Sequence, residues 1–231
     1  MHNKKIAFVS DFDGTISDED FFTYTTNAYF DDKALAPWRE YLAGTKYHFN
    51  ALKEMFANIH VDEKELQELI NKIKIDESLV KTLELCKSKN IPIYICSAGN
   101  DYYIRHLIGE KIEDYKITLV SNRGDYNKKD GLIMTAPDKA SPYYDEKVGI
   151  SKYKVVKKLK DDGYFVIFAG DGPPDFEPAK IADIVFAKKI LLEKCIEANI
   201  KIKTFNTFND IYNFINNAKW RMQLSWEIII Y

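Results

Sequence analysis

The chain has 231 residues, of which 46% are hydrophobic and 14% aromatic, and its formal net charge at pH 7 is −2. This composition excludes an intrinsically disordered chain, and the nearly balanced charge argues against a nucleic-acid partner. The length accommodates one large domain or a domain that carries a substantial insertion. We therefore expect an ordinary soluble globular protein with a sizeable hydrophobic core.

The cysteines and the first residues bear on the compartment. Cys86, Cys96 and Cys195 are odd in number, widely spaced and set among apolar residues, which predicts buried thiols in a reducing compartment. The apolar run before the first acids spans only about five residues, too few for a signal peptide or a membrane span. We therefore expect a cytoplasmic protein without a membrane partner.

Short apolar runs rich in β-branched and aromatic residues predict the strands, and amphipathic segments between them predict helices. The predicted strands are Lys5–Ser10, Ile91–Cys96, Ile117–Ser121, Tyr164–Ala169 and Asp183–Ala187. Such continuous runs are typical of parallel strands that are covered on both faces. Helical spacing surrounds Leu83, Val155 and Ile211. The alternation predicts an α/β fold with a doubly wound parallel sheet.

The first and second predicted strands are about eighty residues apart, far more than one crossover helix needs. The intervening segment is helical in pattern: Leu66, Ile70 and Ile73 share one face, and Asp62 with Glu65 predicts a capping box. We therefore predict a helical cap domain at residues 17–75, inserted into an α/β core formed by residues 1–16 and 76–231. Residues 122–148 predict a hairpin or long loop over the active edge, and the tail at 217–231 is a helix end, an added strand or an interface.

Polar and charged side chains come directly after several of the predicted strands. One more lies at the start of the helix that begins near residue 150. They are Asp11, Asp13, Ser97, Lys152, Asp171 and Asp175. In a doubly wound sheet, ligands bind beyond the carboxyl ends of the strands, so these groups should converge on one edge. Carboxylates suit Mg²⁺, and a lysine with a hydroxyl suits phosphate. The pattern predicts a site for a phosphate and a hard metal.

The residue types also predict a reaction. Asp11 is placed to attack phosphorus as a nucleophile, which gives an aspartyl-phosphate that water later hydrolyses. Asp13, two residues further in an extended segment, projects on the same side and serves as general acid and base. Mg²⁺ and Lys152 neutralise the phosphoryl oxygens. Gly14 permits a tight turn, so that amides at Gly14, Ala98 and Gly99 point at phosphate together with the Ser97 hydroxyl.

The ordered segments "DFDGT", "ICSAGN", "GISKYKVV" and "GDGPPD" resemble the four motifs of the haloacid dehalogenase-like phosphohydrolases. The resemblance covers nearly the whole chain. It implies a Rossmann-like core, Mg²⁺ as cofactor and an aspartyl-phosphate intermediate. The implied site residues are Asp11, Asp13, Ser97, Lys152 and Asp171, with Asp175 as the last acid of the fourth motif. The resemblance also implies a metal contact by the Asp13 backbone carbonyl.

A cap between the first and second motifs is similar to the phosphoserine phosphatase branch, and so is Asn122 after the third strand. The segments "SAGNDYY" and "ADIVFAKKILLEKCIEANI" resemble the 2-hydroxy-3-keto-5-methylthiopentenyl-1-phosphate phosphatases of methionine salvage. Two features depart from the pattern. Pro173 and Pro174 stiffen the loop before Asp175, and "APDKASPYYDEK" stands where some of those phosphatases carry a cysteine-rich stretch.

Several of these residues also have structural interpretations. Lys152 lies among surface lysines, and Ser97 is also placed to cap the following helix. Glu19 and Asp20 are either a helix-start charge pattern or contacts for a substrate's polar end, and Asn122 is a further specificity candidate. The four histidines show no metal-ligand spacing and receive no role.

The function predicted from these residues is a Mg²⁺-dependent phosphatase of a small phosphorylated metabolite, with the cap choosing the leaving group. The substrate is phosphoserine-like or similar to the methylthiopentenyl phosphate. The alternatives are a phosphomutase or phosphotransferase of the same superfamily and a non-catalytic phosphate-binding protein. A dehalogenase is disfavoured, because a halide leaving group needs no acid such as Asp13. We expect a monomer or a homodimer.

Overall fold

The computed structural model describes residues 5–217, and a seven-stranded sheet forms its centre. The strands are β1 (Ile6–Asp11), β2 (Ile93–Asn100), β3 (Thr118–Asn127), β4 (Gly131–Thr135), β5 (Tyr144–Asp145), β6 (Gly149–Ile150), β7 (Phe165–Gly170), β8 (Ile184–Ala187) and β9 (Lys203–Thr204). The sheet order is β4-β3-β2-β1-β7-β8-β9, while β5 and β6 pair separately. Within the large sheet β3 and β4 are antiparallel and the other pairs are parallel. The predicted α/β fold class is confirmed.

Helices flank the sheet and connect its strands. They are α1 (Phe21–Tyr29), α2 (Ala36–Leu42), α3 (His48–Phe56), α4 (Glu63–Ile70), α5 (Leu79–Ser88), α6 (Asp101–Asp114), α7 (Lys152–Asp161), α8 (Phe176–Ala179), α9 (Lys189–Glu197) and α10 (Phe208–Asn216). A 3₁₀ turn spans Pro173–Asp175. Each of the five predicted strands coincides with an observed one, with ends that differ by a few residues.

The burial of β1 explains why its sequence is a continuous apolar run. Phe8 belongs to a hydrophobic cluster that includes residues of α5 and α10, whereas Ala7 and Val9 belong to a second cluster with α7 and α9. Because successive side chains of a strand point to opposite faces, helices on both faces require apolar residues at every position. The three cysteines are buried free thiols, as predicted.

Helices α1 to α4 occupy the chain between β1 and α5. The segment enters and leaves the core side by side: Ser17 pairs with Ile75, and the Asp18 amide donates to the Lys74 carbonyl at 2.9 Å. Leu66 and Ile70 of α4 are buried, as their spacing predicts, and they share a hydrophobic cluster with strand residues of the sheet. The division into a cap at 17–75 and a core stays a prediction.

The predicted capping box of α4 is wrong. Asp62 is the N-cap residue, but its side chain makes no capping hydrogen bond. Its Oδ1 instead accepts from Lys128 Nζ at 2.8 Å. Lys128 lies beyond β3 in the β3–β4 hairpin, so a contact distant in sequence replaces the local one.

The hairpin or long loop predicted at residues 122–148 comprises the β3–β4 hairpin and the small β5–β6 pair. The hairpin contacts the helical segment, since the Tyr126 hydroxyl donates to the Val61 carbonyl. Within residues 5–217 no helix has the length and apolarity to cross a membrane. The alternatives for the tail at 217–231 concern positions that, from 218 onward, lie outside the described residues.

Candidate active site

Three carboxylates meet at the carboxyl edge of the sheet. Asp11 is the last residue of β1, and Asp171 follows β7, which pairs with β1 in parallel. One carboxylate oxygen from each of Asp11, Asp171 and Asp175 lies within 4.8 Å of the other two, and all three residues are buried. Adjacent parallel strands end at the same edge, which is why residues 160 positions apart along the chain become neighbours here.

Lys152 lies between two of these acids. Its Nζ is 2.6 Å from Asp11 Oδ1 and 2.7 Å from Asp175 Oδ1, and its side chain is 5% exposed. Ser151 caps α7 by accepting from the Lys154 amide, which sets Lys152 at the first helical position. Burial by itself would lower the pKa of the Lys152 ammonium, but the two carboxylates raise it, so Lys152 is charged at neutral pH. The surface-lysine interpretation is therefore wrong.

The two prolines of the fourth motif form the turn that positions Asp175. Pro173 and Pro174 occupy the first two positions of the 3₁₀ turn, where a missing amide hydrogen costs nothing. Asp175 Oδ2 then accepts from the amides of Asp171 and Gly172, each at 3.0 Å. The stiffened loop thus places the Asp175 carboxylate beside those of Asp11 and Asp171.

The Asp13 carboxylate does not belong to this acidic group. Its Oδ2 accepts from the Tyr103 hydroxyl at 2.6 Å and from Ser97 Oγ at 2.8 Å, and its Oδ1 accepts from the Phe21 amide at 3.2 Å. Burial raises the pKa of Asp13, while these hydrogen bonds act in the opposite direction. A raised pKa favours the protonated acid, the form that can donate a proton.

Two of the amides predicted to face phosphate donate within the chain. The Gly14 amide donates to Ser17 Oγ at 3.0 Å, and the Gly99 amide donates to Ser97 Oγ at 3.0 Å. The structure therefore does not leave them free for a phosphate. Gly14 matters for another reason: its φ is +71°, and a Cβ there would lie 2.3 Å from Asp171 Oδ2. A side chain at this position would displace a member of the acidic group.

The interpretation of Ser97 as a helix cap is also wrong. Asn100 caps α6, because its side chain accepts from the Tyr102 amide at 3.2 Å. Asn122, a predicted specificity residue, is fully buried and donates to the carbonyls of Ala98 and Gly99 at 2.9 and 3.0 Å. Through these hydrogen bonds it holds the backbone between Ser97 and Asn100. It does not line the cavity that covers the site.

A cavity of about 440 Å³ lies over these groups. Asp11, Asp13, Lys152 and Asp171 line it on the sheet side, with Ser97, Ala98 and Gly99 beside them, while α1, α2 and α3 form the opposite wall. Glu19 and Asp20 line it as well. Asp20 is the N-cap residue of α1 but makes no side-chain cap. Burial, followed by the charges of Asp13 and Asp171, raises the pKa of Asp20 to about 7.

Three residues with contacts at the site had received no role from the sequence. They are Tyr103, Lys189 and His48. Lys189 Nζ lies 3.1 Å from Asp171 Oδ2, and His48 lines the cavity. Lys189 follows the end of β8, so the strand-end rule would have found it. Tyr103 and His48 carry no comparable local signal.

The donor set at the edge fits a divalent cation. Burial raises the pKa of Asp11 well above its usual range, and the charges of Asp175 and Asp171 add to this, against the opposing charge of Lys152. The ionised acids therefore repel one another, and a bound cation would relieve that repulsion. Carboxylate oxygens are the ligands that Mg²⁺ prefers in proteins. Asp11, Asp171 and Asp175 are the residues that could hold it.

A Tyr103→Phe variant should lower the free energy of unfolding at pH 7 by about 1–3 kcal/mol, because the buried Asp13 Oδ2 loses the shorter of its two hydrogen bonds. Chemical denaturation measures this loss. Tyr126→Phe is the matched control: it removes a hydroxyl that donates to a partly buried backbone carbonyl, so it should cost only about 1 kcal/mol. A loss in Tyr103→Phe no larger than that in Tyr126→Phe would contradict the role of Tyr103 in holding Asp13.

Comparison with known proteins identifies a matching family and relatives that cover most of the chain. Residues 8–180 match the family model described as haloacid dehalogenase-like hydrolase. The 2-hydroxy-3-keto-5-methylthiopentenyl-1-phosphate phosphatase of Lysinibacillus sphaericus is 27% identical over 217 residues, which cover 92% of this chain and 94% of that protein. The polyol phosphate phosphatase of Saccharomyces cerevisiae is 28% identical over 219 residues, which cover 90% and 91%.

Among solved structures, a phosphoserine phosphatase that contains an analogue of the phospho-aspartyl intermediate superposes with a TM-score of 0.65 at 18% identity. The superposition covers 92% of this chain and 100% of that one, and at this identity it shows a shared fold. The family model spans well over half of the chain and includes Asp11, Ser97, Lys152, Asp171 and Asp175. On this match the predicted family is confirmed, and the chain belongs to the haloacid dehalogenase-like hydrolases.

Proposed function

We propose that this protein is a Mg²⁺-dependent phosphatase that hydrolyses a small phosphomonoester through an aspartyl-phosphate on Asp11. One observation carries the proposal: a buried carboxylate, Asp11, lies 2.6 Å from a buried ammonium group, Lys152, at the base of a cavity that Asp13 also lines. A nucleophile, a cation for phosphoryl oxygens and a separate acid thus face one space.

In the first step an Asp11 oxygen forms a bond to phosphorus, and the bond between phosphorus and the ester oxygen breaks. Asp11 Oδ1 already accepts from the Phe12 amide and contacts Lys152, so Oδ2 is the oxygen that remains for attack. Lys152 attracts the phosphoryl oxygens and reduces their repulsion of the carboxylate. Asp13 gives its proton to the departing ester oxygen, which leaves as an alcohol.

In the second step water attacks the aspartyl-phosphate, and the bond between Asp11 and phosphorus breaks. Asp13, now ionised, takes the proton of the attacking water, so the two steps leave Asp11 and Asp13 as they began. Tyr103 and Ser97 hold the Asp13 carboxylate during both proton transfers. When bound by Asp11, Asp171 and Asp175, Mg²⁺ supplies charge stabilisation for the phosphoryl oxygens.

The named relatives and the cavity support a small metabolite as substrate. The relatives are named for a methylthiopentenyl phosphate and for polyol phosphates, and about 440 Å³ accommodates molecules of that size. We further propose that residues 17–75 act as a cap, since α1, α2 and α3 form the wall opposite the acids. Glu19 and Asp20, which precede α1, line the same cavity.

Removal of the metal should abolish turnover. With p-nitrophenyl phosphate at pH 7, we expect phosphate release with millimolar Mg²⁺ and at least about a 100-fold loss after chelation, because metal charge stabilisation contributes several kcal/mol. Mg²⁺ should also raise the midpoint of thermal unfolding of the wild type.

The matched variants for this experiment are Asp171→Asn and Asp161→Asn. The first removes a proposed ligand, so Mg²⁺ should no longer raise its unfolding midpoint. The second removes an exposed carboxylate that pairs with Lys157, so it should behave as wild type. Metal-independent phosphate release, or a wild type that neither binds Mg²⁺ nor releases phosphate, would contradict the proposal. Transfer of phosphate to an added sugar without release would favour a phosphotransferase.

A further inference from the structure

The cavity wall opposite the acids is apolar and largely aromatic. Its side chains come from α1, α2 and α3: Phe22, Trp38, Tyr41, Leu42, Leu52 and Phe56. His48, the first residue of α3, lies among them. Since the acids and Lys152 occupy the phosphate side, this wall faces the leaving group of any bound ester. Its chemistry therefore bears on which esters the site accepts.

His48 is a polar residue on this wall whose ring nitrogens are unpaired. The centroid of its ring lies 5.7 Å from that of Trp38 and 5.2 Å from that of Tyr41, with the rings packed edge-on. Nδ1 is fully buried and has no hydrogen-bond partner among residues 5–217. Nε2, likewise unpaired within those residues, is therefore the nitrogen left for a ligand in the cavity that His48 lines. The next residue, Phe49, donates its amide to the Lys147 carbonyl at 2.9 Å, which fixes the start of α3. A buried polar atom held in place without a partner is costly unless a ligand or water satisfies it.

His48 is neutral at physiological pH. Burial lowers the pKa of its imidazole to about 4, and the positive charge of Lys152 acts in the same direction. A neutral imidazole offers one hydrogen-bond donor and one acceptor, but no charge. It therefore suits a hydroxyl group, which can donate and accept, and it brings no positive charge to balance a carboxylate.

The charges around the cavity disfavour an anionic leaving group. Within the described part of the chain, the cations that line it are Lys152 and Lys189. Each already pairs with a carboxylate, Lys152 with Asp11 and Asp175, and Lys189 with Asp171. Glu19 adds negative charge to the same lining, and so does Asp20 where it is ionised, since its pKa is raised to about 7. A carboxylate on the substrate would meet these acids without a free cation to balance it.

We propose that His48 recognises a hydroxyl of the leaving group, and that the cavity selects small phosphomonoesters whose leaving groups carry hydroxyls and no charge over those whose leaving groups are anionic. The aromatic wall packs against the carbon chain, and the His48 ring nitrogen makes the directional contact. This inference rests on the proposed phosphatase function and narrows its substrate class. It excludes phosphoserine, whose carboxylate has no cation to meet.

A series of three-carbon esters tests the selection, with kcat/KM measured at pH 7 in Mg²⁺. Glycerol 3-phosphate carries hydroxyls, propyl phosphate lacks them, and 3-phosphoglycerate carries a carboxylate. We expect glycerol 3-phosphate to exceed propyl phosphate by about 10- to 100-fold, the scale set by one buried polar group left unpaired. It should also exceed 3-phosphoglycerate, whose carboxylate adds charge to a lining that includes Glu19.

Substitutions at His48 test the residue. His48→Phe keeps a ring against Trp38 and Tyr41 but removes both nitrogens, so the preference for glycerol 3-phosphate over propyl phosphate should fall to within about threefold. His48→Gln places a side-chain amide near the position of Nε2 and should retain most of the preference. His60→Phe alters an exposed histidine outside the cavity and should leave the ratio unchanged.

The outcomes separate this inference from the proposed function. No Mg²⁺-dependent release from any of the three esters would contradict the phosphatase proposal and the inference together. Release with 3-phosphoglycerate or propyl phosphate preferred would contradict the inference alone. An equal loss on glycerol 3-phosphate and propyl phosphate in His48→Phe would show a structural role and would also overturn it. If His48→Phe fails to fold, the ratio in His48→Gln decides.

Discussion

An Asp11→Asn variant should release phosphate at least about 10⁴-fold more slowly than wild type, the scale seen when a catalytic group is removed. An amide is a far poorer nucleophile than a carboxylate, so no acyl phosphate can form at this position. Lys152 still pairs with Asp175, so the rest of the site stays in place. Acid-quench trapping of labelled phosphoenzyme, run beside the turnover assay, should detect none.

The same variant should remain folded. Burial and the neighbouring acids raise the pKa of Asp11, so its ionised form disfavours the folded state at neutral pH. Asparagine removes that cost, and we expect a thermal unfolding midpoint at pH 7 in the absence of metal no lower than that of wild type. Asp161→Asn, on the surface of α7, is the matched control for turnover. Activity of Asp11→Asn within tenfold of wild type would rule out Asp11 as the nucleophile.

Replacement of Asp13 by asparagine should slow turnover by about 10²- to 10⁴-fold, the usual contribution of a general acid and base. The covalent intermediate should persist, because Asp11 and Lys152 are intact. With p-nitrophenyl phosphate, whose leaving group needs no proton, phosphoenzyme should form and accumulate. Its hydrolysis still needs a base to take the proton of water. A burst of p-nitrophenol followed by a slow phase is the expected signature.

Comparison of the two aspartate variants tests the division of roles. Asp11→Asn should trap no phosphoenzyme, whereas Asp13→Asn should trap more than wild type at the same time point. Equal loss of the covalent intermediate in both would contradict the assignment. Propyl phosphate provides an internal control, because its poor leaving group needs the proton from Asp13, so the first step should also slow.

Features with a short-range physical origin were predictable from the sequence. The run Ile6–Val9 that leads to Asp11 is apolar at every position, which requires cover on both faces and so a central parallel strand. The position of Asp171 after β7 follows from the same reasoning, and Lys152 follows from the helix start at Ser151. The strand-end rule therefore predicts the acidic group, and the helix start predicts its lysine, from the sequence.

Features that depend on contacts between distant segments were not predictable. Asp62 contacts Lys128 on the hairpin instead of forming a local capping box. The hydroxyl of Tyr103 reaches Asp13, 90 positions away. A neutral His48 requires the packing of α2 and α3, because burial is what lowers its pKa. None of these has a periodic or compositional signature.

The sequence by itself determined five of the nine strands described between residues 5 and 217, the order of the four motifs and the positions of Asp11, Asp13, Lys152 and Asp171 in them, because periodicity and strand ends are local properties of a chain. The tertiary structure alone decided which side chains donate hydrogen bonds to Asp13 and which backbone amides at the site already have hydrogen-bond acceptors. It also decided which side chains of α1, α2 and α3 line the cavity. Those properties arise from segments that meet only after folding, when burial and hydrogen-bond geometry set the protonation and reach of each side chain.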